Sequence, residues 1–444
     1  MLGVNMKSIV VFRLKCFSLT LAIICGVAAV SSNFDERKPA SQYGRAPLLE
    51  RFAWKDLDWA YPDEGSRQAA IENNDFIPES ALPIGIEVWR NKLFIGVPRW
   101  TDGIPATLNY ISLDRNGRGS PKLNPYPSWS KNVAGACNTG FTNVYRMHAD
   151  KCNRLWVLDT GTLGLGPATV QVCPYTLNII DLTTDKVLRQ YQLRAEDLKP
   201  STLISYIAVD IGNGGCNDSF AYLPDQLGYG LIVYDWKANK SWRVSHDFFF
   251  PDPLAGDYNI AGVNFQWGPE GIFGMALSPI AKDGFRTLYF HPLNSNREFA
   301  VSTRVLRDED LSANSYHEFQ ALPERYMGHS TAEAMDDNGV MVFNLIDQNA
   351  VGCWNSLLPY GPQNHGIIAR HDQALIFPVD IKIVHGVVWM MSNRLSIWGF
   401  SEMDYNDVNF RIMTVPLQDA IAGTICQNTQ WQYGTMNNMV IWNQ

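Results

Sequence analysis

The chain of 444 residues contains no long stretch with helical, 3.6-residue periodicity. That excludes a helical bundle and a doubly wound α/β fold. It has no second hydrophobic run after the N-terminus long enough to cross a bilayer. No two cysteines stand in C-x₂-C spacing, and none of the eight histidines forms an H-x-H or HExxH pair. A zinc site built on a local motif is therefore not expected, and neither a metal nor a cofactor is expected on the reading of motifs. A G-x-S-x-G elbow is missing, as is the Lys-Ser/Thr that would turn Gly212-Asn213-Gly214-Gly215 into a phosphate loop. Basic residues are the minority, 36 against 44 acidic, giving a formal charge of -8. That excludes a nucleic-acid partner and disfavours an anionic membrane surface.

What is present begins with a targeting segment. Lys7, Arg13 and Lys15 precede a short apolar run from Cys16 to Val30, with small residues at Val27-Ala28-Ala29. This reads as a secretory signal over 1–31, so the protein is expected to be secreted and extracellular. Its removal takes three basic residues and moves the formal charge from -8 to -11. Six cysteines remain: Cys137, Cys152, Cys173, Cys216, Cys353 and Cys426. An even number in an oxidising compartment points to disulfides, with Cys353–Cys426 the favoured pair because the other four cluster earlier. Asn217 and Asn239 head glycosylation sequons.

The organising unit is clearest over 330–347. A polar start is followed by Asp337-Asn338-Gly339 and then by Val340-Met341-Val342-Phe343-Asn344-Leu345. It reads as an antiparallel hairpin, with Asn-Gly supplying left-handed backbone at the turn. Five further segments resemble it, centred on Phe94, Trp156, Tyr222, Tyr289 and Trp389. Each follows a turn signal and has a short strand upstream. Six such units predict an all-β fold, a six-bladed β-propeller, over 83–430. Residues 32–82 are expected to pack on it, and 431–444 to form a loose tail.

In a propeller the start of each first strand and the end of each second strand share a face. That rule selects Asp159, Asp225 and Asn344 at second-strand ends, and Glu270 and Thr331 at first-strand starts. Neighbouring loops add Arg99, Trp100 and Phe265, and His329 lies beside the same face. An aromatic mouth with a few polar groups suits a small flat ligand. The competing reading is structural: Asp or Asn after a strand often bonds its own backbone, and a lone His is often a satisfied one.

At Gly96-Val97-Pro98-Arg99-Trp100, Arg154-Leu155-Trp156-Val157-Leu158-Asp159-Thr160-Gly161 and Tyr222-Leu223-Pro224-Asp225 the chain resembles the yellow / major royal jelly protein family of insects, nearest to its yellow-f type, dopachrome-converting branch. The resemblance implies a secreted six-bladed propeller. It also implies a dopachrome or dopaminechrome tautomerase (an isomerase) of melanin biosynthesis, or else a non-catalytic binder of biogenic amines or a structural protein of cuticle and pigmentation. Its amine-binding members use a Thr and an Asn of one blade, which Thr331 and Asn344 match by position. The ligand would be a small aromatic amine or an indole-quinone. His329, Asp159 or Glu270 would serve as base, and Thr331, Asn344, Arg99, Trp100, Phe265 and Asp225 would bind. The oligomeric state is left open.

Overall fold

The computed structural model describes residues 46–113, 119–325 and 328–427. The expected signal (1–31) and tail (431–444) lie outside the described residues.

Six four-stranded antiparallel sheets follow one another along the chain. Their first strands are Gly85–Trp89, Val144–Ala149, Ala208–Ile211, Ile272–Leu277, Glu333–Met335 and Pro378–Val384. Their second strands are Lys92–Gly96, Arg154–Asp159, Ser219–Asp225, Thr287–Pro292, Val340–Leu345 and Val387–Ser392. Each second strand holds the aromatic or bulky residue that marked its unit in the sequence. Phe94, Trp156, Tyr222 and Met341 are fully buried there. Burying each such side chain stabilises the fold by roughly 1.5–3 kcal/mol.

The first strands face one another around the channel. Arg146 of blade two donates from Nη2 to the Val379 carbonyl of blade six at 2.7 Å. The Ile86 amide of blade one donates to Asp380 Oδ2, also of blade six, at 2.8 Å. These are the contacts of a propeller axis, and the fold is a six-bladed β-propeller.

Blade six shows how the ring closes. Its outer strand is Leu49–Trp54, which pairs antiparallel with Phe410–Pro416. The segment that was expected to pack on the propeller thus supplies one of its strands. Between it and blade one lies a short helix, Glu64–Glu72, whose N-cap Asp63 accepts from the Ser66 amide at 2.7 Å.

The turn at 336–339 differs from the sequence reading. Only Gly339 is left-handed, at φ +82. Asp336 closes the loop by accepting from the Asn338 and Val340 amides at 3.0 and 2.7 Å. The carboxylate does the work assigned to a left-handed Asn.

Three disulfides pair Cys137 with Cys173, Cys152 with Cys216, and Cys353 with Cys426. The last is the favoured pair. Among the described residues, no helix is long and apolar enough to cross a membrane.

Candidate functional site

One end of the channel opens into a cavity of about 870 Å³. Its wall is aromatic: Trp100, Tyr145, Tyr175, Trp267, Phe273, Trp398 and Phe400 all border it. Its polar groups include Arg146 from a first strand, Glu270 from the loop before one, and Gln226 just past the end of a second strand.

Glu270 lies two residues before the first strand of blade four. Its Oε2 is buried and has no hydrogen-bond partner. Burial pushes its carboxyl up to about 7, against the lowering effects of the Trp267 indole and the Arg146 charge. Arg146 is 2% exposed. Its Nε and Nη1 lack hydrogen-bond partners, and its guanidinium lies over Tyr206 and Phe273 at 5.2 and 5.1 Å from the ring centres. Burial lowers its pKa, offset in part by Asp380. The cavity thus holds an acid poised near neutrality and a cation with two donor nitrogens that make no hydrogen bond.

Behind them the channel is lined by charged side chains. Asp380 lies 3.7 Å from Arg146 Nε and 3.0 Å from Lys382 Nζ. Glu87, pushed up to about 7 by burial, lies 3.7 Å from His148. Burial together with the Lys382 charge pulls His148 down to about 4. Along the axis, first strands contribute Glu87, Arg146, Phe273, Glu333, Asp380 and Lys382.

Of the residues picked from sequence, Trp100 and Glu270 border the cavity. The Trp100 indole donates to Tyr145 Oη at 2.8 Å and packs on Trp398 at 5.7 Å. Phe265 stands in a hairpin, Asp257–Ile260 with Val263–Gln266, and stacks on the cavity residue Phe400 at 4.3 Å. It supports the rim.

The others are engaged in the scaffold. Arg99 is spent on carbonyls: Ile104 at 3.0 Å, Phe141 at 3.0 Å, Thr142 at 2.6 Å, Pro105 at 3.1 Å, and Asn132. Asp159 accepts from the Thr142, Asn143 and Gly161 amides at 2.8, 2.8 and 2.9 Å. Asp225 accepts from the Leu203 and Gly228 amides, Thr202 Oγ1 and Arg243 Nη1, all within 3.0 Å. His329 is held between Asp347, 2.8 Å from Nδ1, and the Ala255 carbonyl, 2.9 Å from Nε2.

Thr331 and Asn344 do meet: Asn344 Nδ2 donates to Thr331 Oγ1 at 3.0 Å, and that hydroxyl donates to the Pro378 carbonyl at 2.5 Å. Both are fully buried and neither borders the cavity. Asn344 Oδ1 has no partner.

Arg146, Tyr145, Gln226 and Tyr175 were missed in the sequence. A signal existed for the first two. They sit at the start of a first strand, Val144–Ala149, the position the face rule singles out.

These features define a class: a six-bladed propeller with one aromatic-walled, acid-bearing pocket at its channel mouth. The family model for major royal jelly protein matches residues 142–426. Protein yellow of Drosophila melanogaster is 54% identical over 397 residues, covering 89% of this chain and 73% of that protein. Protein yellow of Drosophila subobscura is 55% identical over 397 residues, covering 89% and 70%. The chain belongs to the yellow / major royal jelly protein family. A virginiamycin B lyase from Staphylococcus aureus superposes with a TM-score of 0.38 at 12% identity, over 75% of this chain and 94% of that one. That likeness is too slight to bear on function, and the fold rests on the sheets themselves.

Proposed function

We propose that the protein is a secreted tautomerase of dopachrome-type indole-quinones, acting in melanin formation, with Glu270 as its base. The observation that carries this reading is Glu270 itself: a carboxyl with a free oxygen, raised to about 7, in an aromatic pocket. A base is most effective when its pKa lies near the working pH.

The substrate is flat, with a cationic ring nitrogen next to an acidic C–H bond. Trp100 and Trp267 offer faces for the ring. Glu270 takes the proton from carbon. The C–H electron pair moves through the ring into the quinone, whose oxygens become phenolic. A second proton leaves the neighbouring ring carbon as the carbon–carbon double bond of the indole closes, and the two protons pass to the two oxygens, so the conversion is an isomerisation with no outside oxidant. The free nitrogens of Arg146 stabilise the negative charge that develops on oxygen, or hold a ring carboxylate. Secretion and glycosylation belong to the same proposal. They are supported by the three disulfides and by the exposed turns that carry Asn217 and Asn239.

A second reading has one specific observation behind it. The same acid within an aromatic wall can hold an aromatic ammonium ion without turnover. Loss of dopachrome absorbance with purified protein, set against the spontaneous rate, tests the first reading. Calorimetry with dopamine and serotonin runs beside it. No acceleration together with tight amine binding rejects the tautomerase and leaves the binder.

A further inference from the structure

We propose that His291, Glu298 and Glu333 form a binding site for a divalent transition-metal ion such as zinc, set between blades four and five. None of the three borders the mouth cavity, so the proposal is independent of the tautomerase reading.

Three strands bring the ligands together. His291 lies in the second strand of blade four, Thr287–Pro292, and Glu298 in the third, Arg297–Ser302. They stand one step beyond the paired Phe290 and Phe299. Glu333 begins the first strand of blade five. Gly274, opposite His291 in the register, makes the room: a Cβ there would lie 2.4 Å from His291 Cε1.

The geometry suits an ion. His291 Nδ1 is 3.2 Å from Glu298 Oε2 and 3.4 Å from Glu333 Oε2, and the three ligand atoms lie within 4.8 Å of one another. Ligands about 2.0–2.2 Å from a tetrahedral zinc stand roughly 3.3–3.6 Å apart. His291 Nε2 faces the Ser330 carbonyl at 3.1 Å. A carbonyl only accepts, so Nε2 carries a ring proton, and Nδ1 points at the two carboxylates, where an ion would take its lone pair. Donation from the far ring nitrogen to a backbone carbonyl is the usual support of a metal-bound histidine. Arg325 Nη1 supports Glu298 Oε2 in the same way at 2.6 Å.

The unpartnered atoms point to what is needed. Glu333 is 1% exposed and neither of its oxygens has a hydrogen bond; Glu298 Oε1 has none either. Buried carboxylates without donors are costly. Two carboxylates beside one guanidinium leave one negative charge to be met at His291 Nδ1, by a proton or by a bound cation. A proton on Nδ1 would serve a single oxygen, whereas a dication at the convergence point serves all three ligand atoms together.

The test is metal analysis of the full chain, expressed by secretion in zinc-supplemented medium and purified without chelators. We expect about one zinc per chain, retained through dialysis, with an X-ray absorption shell of one imidazole and oxygens. Glu333→Gln and His291→Gln should lower the metal content at least tenfold. Wild-type protein without stoichiometric metal overturns the proposal and leaves an imidazolium bridging two carboxylates. A sulfur-containing shell, or a folded Glu333→Gln protein with full metal content, overturns it too. If the variants do not fold, the wild-type content and absorption shell decide alone.

Discussion

Asp225 and Glu270 are both acids near the same face of the propeller, yet the fold treats them in opposite ways. Asp225 is fully buried and meets four donors: two amides, a hydroxyl and Arg243. It ties the end of a second strand to two loops. Glu270 has an oxygen with no donor at all and opens onto a cavity. Position on the face does not separate scaffold from site. What separates them is whether the protein itself satisfies the group. An acid saturated by backbone is structural, and an acid left unpaired among aromatic rings is held ready for a ligand.

The comparison breaks most visibly at Asp225. Asp225→Ala strands Arg243 and two amides, and should lower unfolding free energy by about 3–5 kcal/mol in denaturant titrations. If that variant stays as stable as wild type while losing activity, the assignment of roles is inverted. Glu270→Gln should show the reverse pattern: a loss of about a hundredfold or more in the catalysed rate, with stability unchanged or improved.

The pH behaviour sharpens this. The Glu270 carboxyl is raised from 4.5 to about 7, so between those values the folded chain keeps a proton that the unfolded chain has lost. Its destabilising contribution is absent below about pH 4.5, grows toward pH 7 and is full above it. The catalysed rate should rise with pH through about 7, as the base ionises. Glu87 titrates in the same range, so the informative quantity is the difference between wild-type and Glu270→Gln stability curves. Parallel curves from pH 5 to 8 would remove Glu270 from the role. Smaller again is Trp100→Phe, which loses the hydrogen bond to Tyr145. It should weaken ligand binding severalfold, about 1 kcal/mol, by calorimetry.

The blades were legible because each is local. A turn signal and an apolar strand within some fifteen residues specify a hairpin, and the buried Phe94, Trp156 and Tyr222 mark it. The role of Leu49–Trp54 was not legible, since its partner strand begins at Phe410. The site was half legible. The face rule and the loops beside it led to Glu270 and Trp100 but also gathered Asp159, Arg99 and Asp225, because sequence shows where a polar group falls and not which donors meet it. Thr331 and Asn344 show the limit well: they do bond each other, yet away from the cavity. The His291 cluster has no spacing to recognise, because its ligands come from three strands.

The pairing of Leu49–Trp54 with Phe410–Pro416 sets an order of events during synthesis. The first described strand to emerge is the outermost strand of the final blade, and it waits for a partner made some 360 residues later. Until then blade six lacks the strand that would pair with it. The Cys353–Cys426 bond then clasps blade five to the segment beyond the closing strands. A chain cut short before residue 410 lacks the strand that Leu49–Trp54 pairs with, so blade six cannot be completed.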